Sequence, residues 1–320
     1  VYHRGAKVVE LWGGQQGPTD ERPYDDRTLQ LVFSTTKGIT AIAVAMCVER
    51  GLLDYSERVS TYWPEFAAKG KGEATVAQLL SHQCGLFSVQ GEISLAEALD
   101  WDTVTARLAD TEPEWPIGST HGYHALTYGW LAGELVRRVD PQHRSLGQFV
   151  ADEIAGPLGA ELWIGLPDEQ QDRVSPILGS IGSTESDDPA IRAMLEQFMG
   201  PNSNGGRALS LNGAFGGDGV FNRPEVRAAQ IPAANGVTNA RSLARIYAAR
   251  GVSHPSELDY ALKHKIVDAA TDDLKAGVSE ADVVILAAPV RAILHMLDGR
   301  IGSYLRSNTL LIDIGSTKAD

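Results

Sequence analysis

Ser34 and Lys37 stand three residues apart in FSTTKGITAIAVAMCVERG (33–51), at the head of a mainly apolar stretch. On a helix, positions i and i+3 share a face, so a lysine amine there can reach a serine hydroxyl. A lysine drawn into apolar surroundings loses proton affinity and can act as a base. A serine at a helix N-terminus has N–H groups and the helix dipole nearby, which stabilise developing negative charge. Together they could carry an acyl group on the serine oxygen. The competing reading is ordinary: Ser34 or a neighbouring threonine caps the helix, and Lys37 extends to solvent along its own stem. With 21 Ser and 8 Lys in 320 residues, roughly 0.5 chance Ser-x-x-Lys matches are expected, so the spacing alone leaves the two readings level.

Other chemistries leave no such trace. No serine sits in a Gly-x-Ser-x-Gly setting, and no His-Glu-x-x-His or Cys/His metal spacing occurs. The GGDG run at 216–219 follows no strand and is not a phosphate loop. His82, His121, His124 and His143 are scattered, and each reads as a packing residue. The formal charge of −13 argues against nucleic acid or an anionic membrane surface as a partner. Apolar runs such as Ile39–Val48 end at charged residues before the ~18 residues of a membrane span, so no span is expected. Cys47 and Cys84 read as free thiols in a reducing compartment, hence a cytoplasmic protein. Val1 and Asp320 both look like cut ends, which leaves a lost N-terminal signal open.

The elements that must position this chemistry are mostly helical. Two short strands flank Gly5-Ala6, a long apolar helix covers 34–51, and helices with Pro- and Gly-rich connections follow to about residue 200. LTYGWLAGELVRRV reads as an amphipathic helix with Arg137 and Arg138 at its cation-favouring end. Residues 179–219 read as a long loop holding one helix. NARSLARIYAARG reads as a helix capped by Asn239. After Gly251 the texture changes. ADVVILAAPV and TLLIDIGS are continuous apolar runs of the kind found in parallel strands, and RAILHMLDGRIGSYL between them has helical spacing.

FSTTKG, YWPEFAAKGKG, LLSHQCGL and GYHALTYGWLAGELV, in this order and spacing, resemble the serine β-lactamase superfamily over about residues 1–250. The nearest likeness is to its esterase branch, the family VIII carboxylesterases. The resemblance implies an acyl-enzyme mechanism with Ser34 as nucleophile and Lys37 as its base partner. It places the family's second-motif tyrosine at Tyr123, where a tyrosinate beside a lysine could relay protons. Tyr128 reads instead as a packing residue, and His82 as a structural turn residue. Ala125 stands where β-lactamases carry an asparagine that contacts the lactam amide, which favours simple esters over lactams. The third motif, a short strand such as Lys-Thr-Gly or Trp-Gly-Gly, is missing after residue 250, and WGG at 12–14 is a chance match. That motif helps form the second oxyanion donor, and losing one donor costs on the order of 10²–10³ in rate.

ELDYALKHKIVDAATDDL, ADVVILAAPVRAILHML and TLLIDIGSTKAD resemble the middle of a prephenate dehydrogenase nucleotide-binding domain. The glycine-rich loop that would hold a dinucleotide is missing, so neither NAD nor any other cofactor is expected. The expected fold is therefore α+β: a truncated β-lactamase/penicillin-binding-protein-like serine hydrolase at 1–252, then a β-α-β Rossmann-type segment at 253–320, the whole a chimera. The expected function is hydrolysis of short-chain carboxylic esters through an acyl-serine, with a small-molecule ester as the only partner. The rivals are a β-lactamase or D-alanyl-D-alanine peptidase, a catalytically impaired fragment, and an NAD-dependent prephenate dehydrogenase remnant. Oligomeric state and acyl chain length are left open.

Overall fold

The computed structural model describes residues 2–3, 6–7, 9–17, 19–178, 188–248, 283–286, 303–304 and 310–313. Along the chain, β1 (Tyr2–His3) pairs with β2 (Ala6–Lys7), and β3 (Gln15–Gly17) with β4 (Asp20–Pro23), both antiparallel. β5 (Leu29–Leu31) leads into α1 (Thr35–Glu49). Short helices α2 (Val59–Tyr62), α3 (Val76–Leu80) and α4 (Leu95–Ala98) precede α5 (Trp101–Asp110) and α6 (Thr127–Val139). After α7 (Leu146–Val150) come β6 (Leu162–Trp163) and β7 (Val174–Ser175). Then follow α8 (Pro189–Met199), α9 (Asn204–Ser210), α10 (Pro224–Ala228), β8 (Val237–Thr238) and α11 (Ala240–Ala248).

The chain divides into two compact units. The larger comprises residues 13–153 and 162–238. Its sheet has the order β6-β8-β5-β7, with β5 antiparallel to β8 and parallel to β7. α1 lies against α6 at its centre. Both helices are buried on nearly all sides: Ile39, Ala43, Val44 and Cys47 of α1, and every residue from Thr127 to Val136 of α6. Helices buried on nearly all sides are core helices, and α1 and α6 fill that place. Two buried charges sit in this core with complete partners. The Glu134 carboxylate accepts hydrogen bonds from Trp101 Nε1 (2.7 Å), Arg137 Nε (2.8 Å) and Arg138 Nε (2.7 Å). Burial pushes its pKa up, but these donors outweigh burial and hold it below the ordinary carboxylate range. Lys71, fully buried, donates to the carbonyls of Ala68, Ala109 and Thr111 at 2.6–2.9 Å.

The smaller unit comprises residues 1–12, 154–161 and 239–320. In it Asn239 caps α11 as expected, its Oδ1 accepting from Ser242 N–H at 2.9 Å. β9 (Val283–Leu286) and β10 (Leu310–Asp313) pair in parallel, as the apolar runs suggested. The helix expected between them, over 291–305, lies outside the described residues apart from Ser303 and Tyr304.

The stretch 179–219 differs from expectation. Residues 179–187 lie outside the described ones, but 188–210 holds two helices, α8 and α9, rather than one. Asp188 caps the first and Ser203 the second, accepting from Gly206 N–H at 3.0 Å. Capping and the packing of α9 on α8 outweigh the low helix propensity of Asn-Gly-Gly.

Candidate active site

β5 delivers the chain to the site. Beyond its last residue, Val32 N–H donates to Gly236 O at 2.9 Å and carries the pairing with the segment before β8 one step further. Phe33 then turns into the left-handed region at φ +41°. That conformation is strained for an aromatic residue and persists only where the surroundings hold it. Here the Phe33 ring sits edge-on against Phe221 at 5.4 Å. The turn sets Ser34 at the N-terminus of α1 with φ −65° and ψ −12°. Thr36, not Ser34, stitches the helix start: its Oγ1 donates to Phe33 O at 2.6 Å and accepts from Gly236 N–H at 2.9 Å. The Ser34 hydroxyl makes no capping bond.

Lys37 does not reach solvent. It is 9% exposed, and its Nζ lies 2.7 Å from Ala125 O, 3.0 Å from Ala233 O and 3.2 Å from Ser34 Oγ. Burial pulls its pKa down to about 7. Comparison with Lys71 clarifies the arrangement. Three carbonyls around Lys71 take all three hydrogens of an ammonium ion. Around Lys37 the third neighbour is the Ser34 hydroxyl, which accepts from an ammonium ion and can donate to a neutral amine. One constellation holds a lysine as a cation; the other prepares it to receive a proton.

Tyr123 closes the group from the other side, its Oη donating to Ser34 Oγ at 2.7 Å. Lys37 Nζ lies 4.7 Å from the centre of the Tyr123 ring. Burial raises the phenol above its ordinary pKa of 10.0, more than the Ser34 bond lowers it. That direction favours the protonated hydroxyl over the tyrosinate. Tyr123 is also 49% exposed, so the group opens to solvent on its side. Ala125 is buried, and its carbonyl, rather than its methyl, meets Lys37. Tyr128 is buried and packs on His82, with ring centres 5.1 Å apart. His82 and His124 are both held neutral, burial lowering them to about 3 and about 4. Among the described residues, no cluster of three or more His, Cys, Asp or Glu could hold a metal ion.

Two further segments complete the cage around Lys37. The turn at 231–235 presents Ala233 O, and buried Asn235 pins it, donating to Val226 O (2.9 Å) and Ala229 O (2.6 Å) and accepting from Ile231 N–H (2.9 Å). α6 approaches this turn at Gly129, where any Cβ would press on Ala233 N and lie 2.7 Å from Pro232 C.

The β-lactamase family model matches residues 1–278. The chain belongs to the β-lactamase family. Within that family, the Esterase/beta-lactamase LipL of Mycobacterium tuberculosis is 35% identical over 263 residues, covering 81% of this chain and 58% of the relative. Three solved structures are similar over 78–80% of this chain. A penicillin-binding protein homologue from Caulobacter crescentus is 38% identical with a TM-score of 0.66, covering 78% of this chain and 62% of that one. A family VIII carboxylesterase is 37% identical (TM-score 0.65, 78% and 62%), and EstA from Arthrobacter nitroguajacolicus 36% (0.64, 80% and 63%). The chain thus spans about three-fifths of the length of the relatives it matches. A second family model, the prephenate dehydrogenase nucleotide-binding domain, matches residues 249–320 and overlaps the first over 249–278. Among the described residues no helix of this β-lactamase-family chain is long and apolar enough to cross a membrane.

Ser34, Lys37 and Tyr123, singled out from the sequence, meet in one place. The carbonyls of Ala125 and Ala233 carry no signal in the sequence, because every residue has one. Phe33 is equally silent, since nothing in its type announces a positive φ. The Asn-Gly pair at 235–236 does mark a turn, and it is the one signal that could have pointed to the Ala233 segment.

Proposed function

We propose that the chain hydrolyses short-chain carboxylic esters through an acyl-Ser34 intermediate. The observation that carries this is the double contact of Ser34 Oγ: 3.2 Å from a lysine nitrogen with pKa about 7 and 2.7 Å from the Tyr123 hydroxyl. Lys37 takes the Ser34 proton as the oxygen attacks the ester carbonyl carbon. Charge gathers on the carbonyl oxygen near the start of α1, with the Ser34 N–H as first oxyanion donor. As the tetrahedral adduct collapses, Tyr123 gives its proton to the leaving alkoxide and regains one from Lys37. Water then attacks the acyl-serine, its proton passing back through the same pair, and the carboxylic acid departs. No cofactor enters any step.

Ala125 favours esters over lactams, because a buried methyl offers no donor or acceptor to a lactam amide. The reading as a β-lactamase or peptidase is favoured by the words β-lactamase and penicillin-binding protein in the relatives' names. Turnover of p-nitrophenyl acetate or butyrate against nitrocefin separates the two. Ester turnover at least tenfold faster, and lost in Ser34→Ala, is the expected result. Nitrocefin turned over faster than the ester would reverse the assignment. We place the hydrolase domain at 1–252 and a prephenate-dehydrogenase-like segment at 253–320, and read the chain as a chimera whose second part binds no NAD. The cytoplasmic assignment rests on Cys47 and Cys84, both free and buried.

A further inference from the structure

We infer that His82 is the positioning residue for Tyr123: held in one tautomer by main-chain hydrogen bonds, it fixes the phenol against Ser34. The residues on either side of Tyr123 are both tied to it. Gly122 N–H donates to the His82 carbonyl at 3.1 Å, and His124 N–H donates to His82 Nδ1 at 3.2 Å. Tyr123 is therefore bracketed, and its ring lies on the His82 ring with centres 5.3 Å apart. His82 itself adopts φ +63°, a left-handed conformation that costs energy for a non-glycine residue.

The tautomers follow from the partners. His124 Nε2 accepts from Leu86 N–H at 2.9 Å, so its hydrogen is on Nδ1, which donates to Gly122 O at 2.6 Å. His82 Nδ1 accepts from His124 N–H, so its hydrogen is on Nε2. Protonating His82 would destroy the acceptor that holds residue 124. Burial of the ring also disfavours that charge. The ring is thus a neutral prop, itself packed against Tyr128 with centres 5.1 Å apart. A tyrosine that is half exposed needs such a prop to keep its hydroxyl 2.7 Å from the serine.

This inference rests on the reading of Ser34 as nucleophile, and its test separates the two. The second-order rate of Ser34 modification by a fluorophosphonate is measured in the wild type, His82→Asn, Tyr123→Phe and the double variant. Asparagine keeps an acceptor near the Nδ1 position and tolerates the left-handed backbone, but it removes the ring. His82→Asn is expected to react roughly 10–100-fold more slowly, since small displacements of a reacting group cost about that much. It should stay folded, as read by thermal melting. In the Tyr123→Phe background the same change is expected to have no further effect. Full additivity of the two variants, or a loss only in step with lost folded protein, would overturn the inference while leaving the Ser34 reading intact. A wild type that takes no label would overturn both. If His82→Asn proves poorly folded, His82→Gln read by the same cycle serves in its place, with the same outcomes.

Discussion

Lys37 faces two carbonyls and one hydroxyl, whereas Lys71 faces three carbonyls, and the two amines are suited to different work. Burial lowers both, to about 7 and about 8, but only Lys37 has an acidic hydrogen in front of its lone pair. The pH dependence follows with a definite sign. A base works only when unprotonated, so kcat/KM should fall tenfold per pH unit below about 7, where Lys37 holds its proton. It should level off above that and decline again only beyond 10.0, where the phenol of Tyr123 is lost. Ester turnover followed from pH 5 to 11 checks both limbs; an acid limb near pH 4 would assign the base to a carboxylate instead. At this scale the side chains of the site were legible in their types and spacing. Their state was not. Whether Lys37 is charged depends on carbonyls 88 and 196 residues away in sequence, and no local pattern encodes burial by distant segments.

The β5–α1 turn, α6 and the 231–235 turn act as one clamp on Lys37. Gly129 is the point where α6 lets the backbone of Pro232 and Ala233 come close. Replacing it by valine should push the turn away, with Ala233 O leaving Lys37 and an overpacking cost of about 1–3 kcal/mol. The expected result is a folded but less stable protein whose acid limb moves toward the ordinary lysine range, read by thermal melting and the same pH series. Unchanged stability and an unmoved limb would contradict the clamp. The long elements were readable, because α1 is a continuous apolar segment and α6 an amphipathic one with arginines at its C-terminal end. The two-residue strands that share a sheet with β5 were not, since their pairing is fixed by tertiary contact rather than by any alternation they contain. The α8–α9 pair was misread for a related reason. Asn204-Gly205-Gly206 looks like loop, yet the Ser203 cap and packing on α8 make it helical.

Across the whole molecule, two family matches overlap in one chain, and the candidate site falls wholly within the part that matches the β-lactamase family. The sequence contains no recognisable third motif after residue 250, in a stretch that is mostly outside the described residues. On the proposed function, Lys37 and Tyr123 activate Ser34 in this chain as it stands. Intact mass of the full-length chain after exposure to a fluorophosphonate, beside Ser34→Ala, tests that claim most directly. One adduct on the wild type and none on the variant is the expected result. A folded, soluble wild type that takes up no adduct, or a Ser34→Ala chain that is labelled equally, would contradict it.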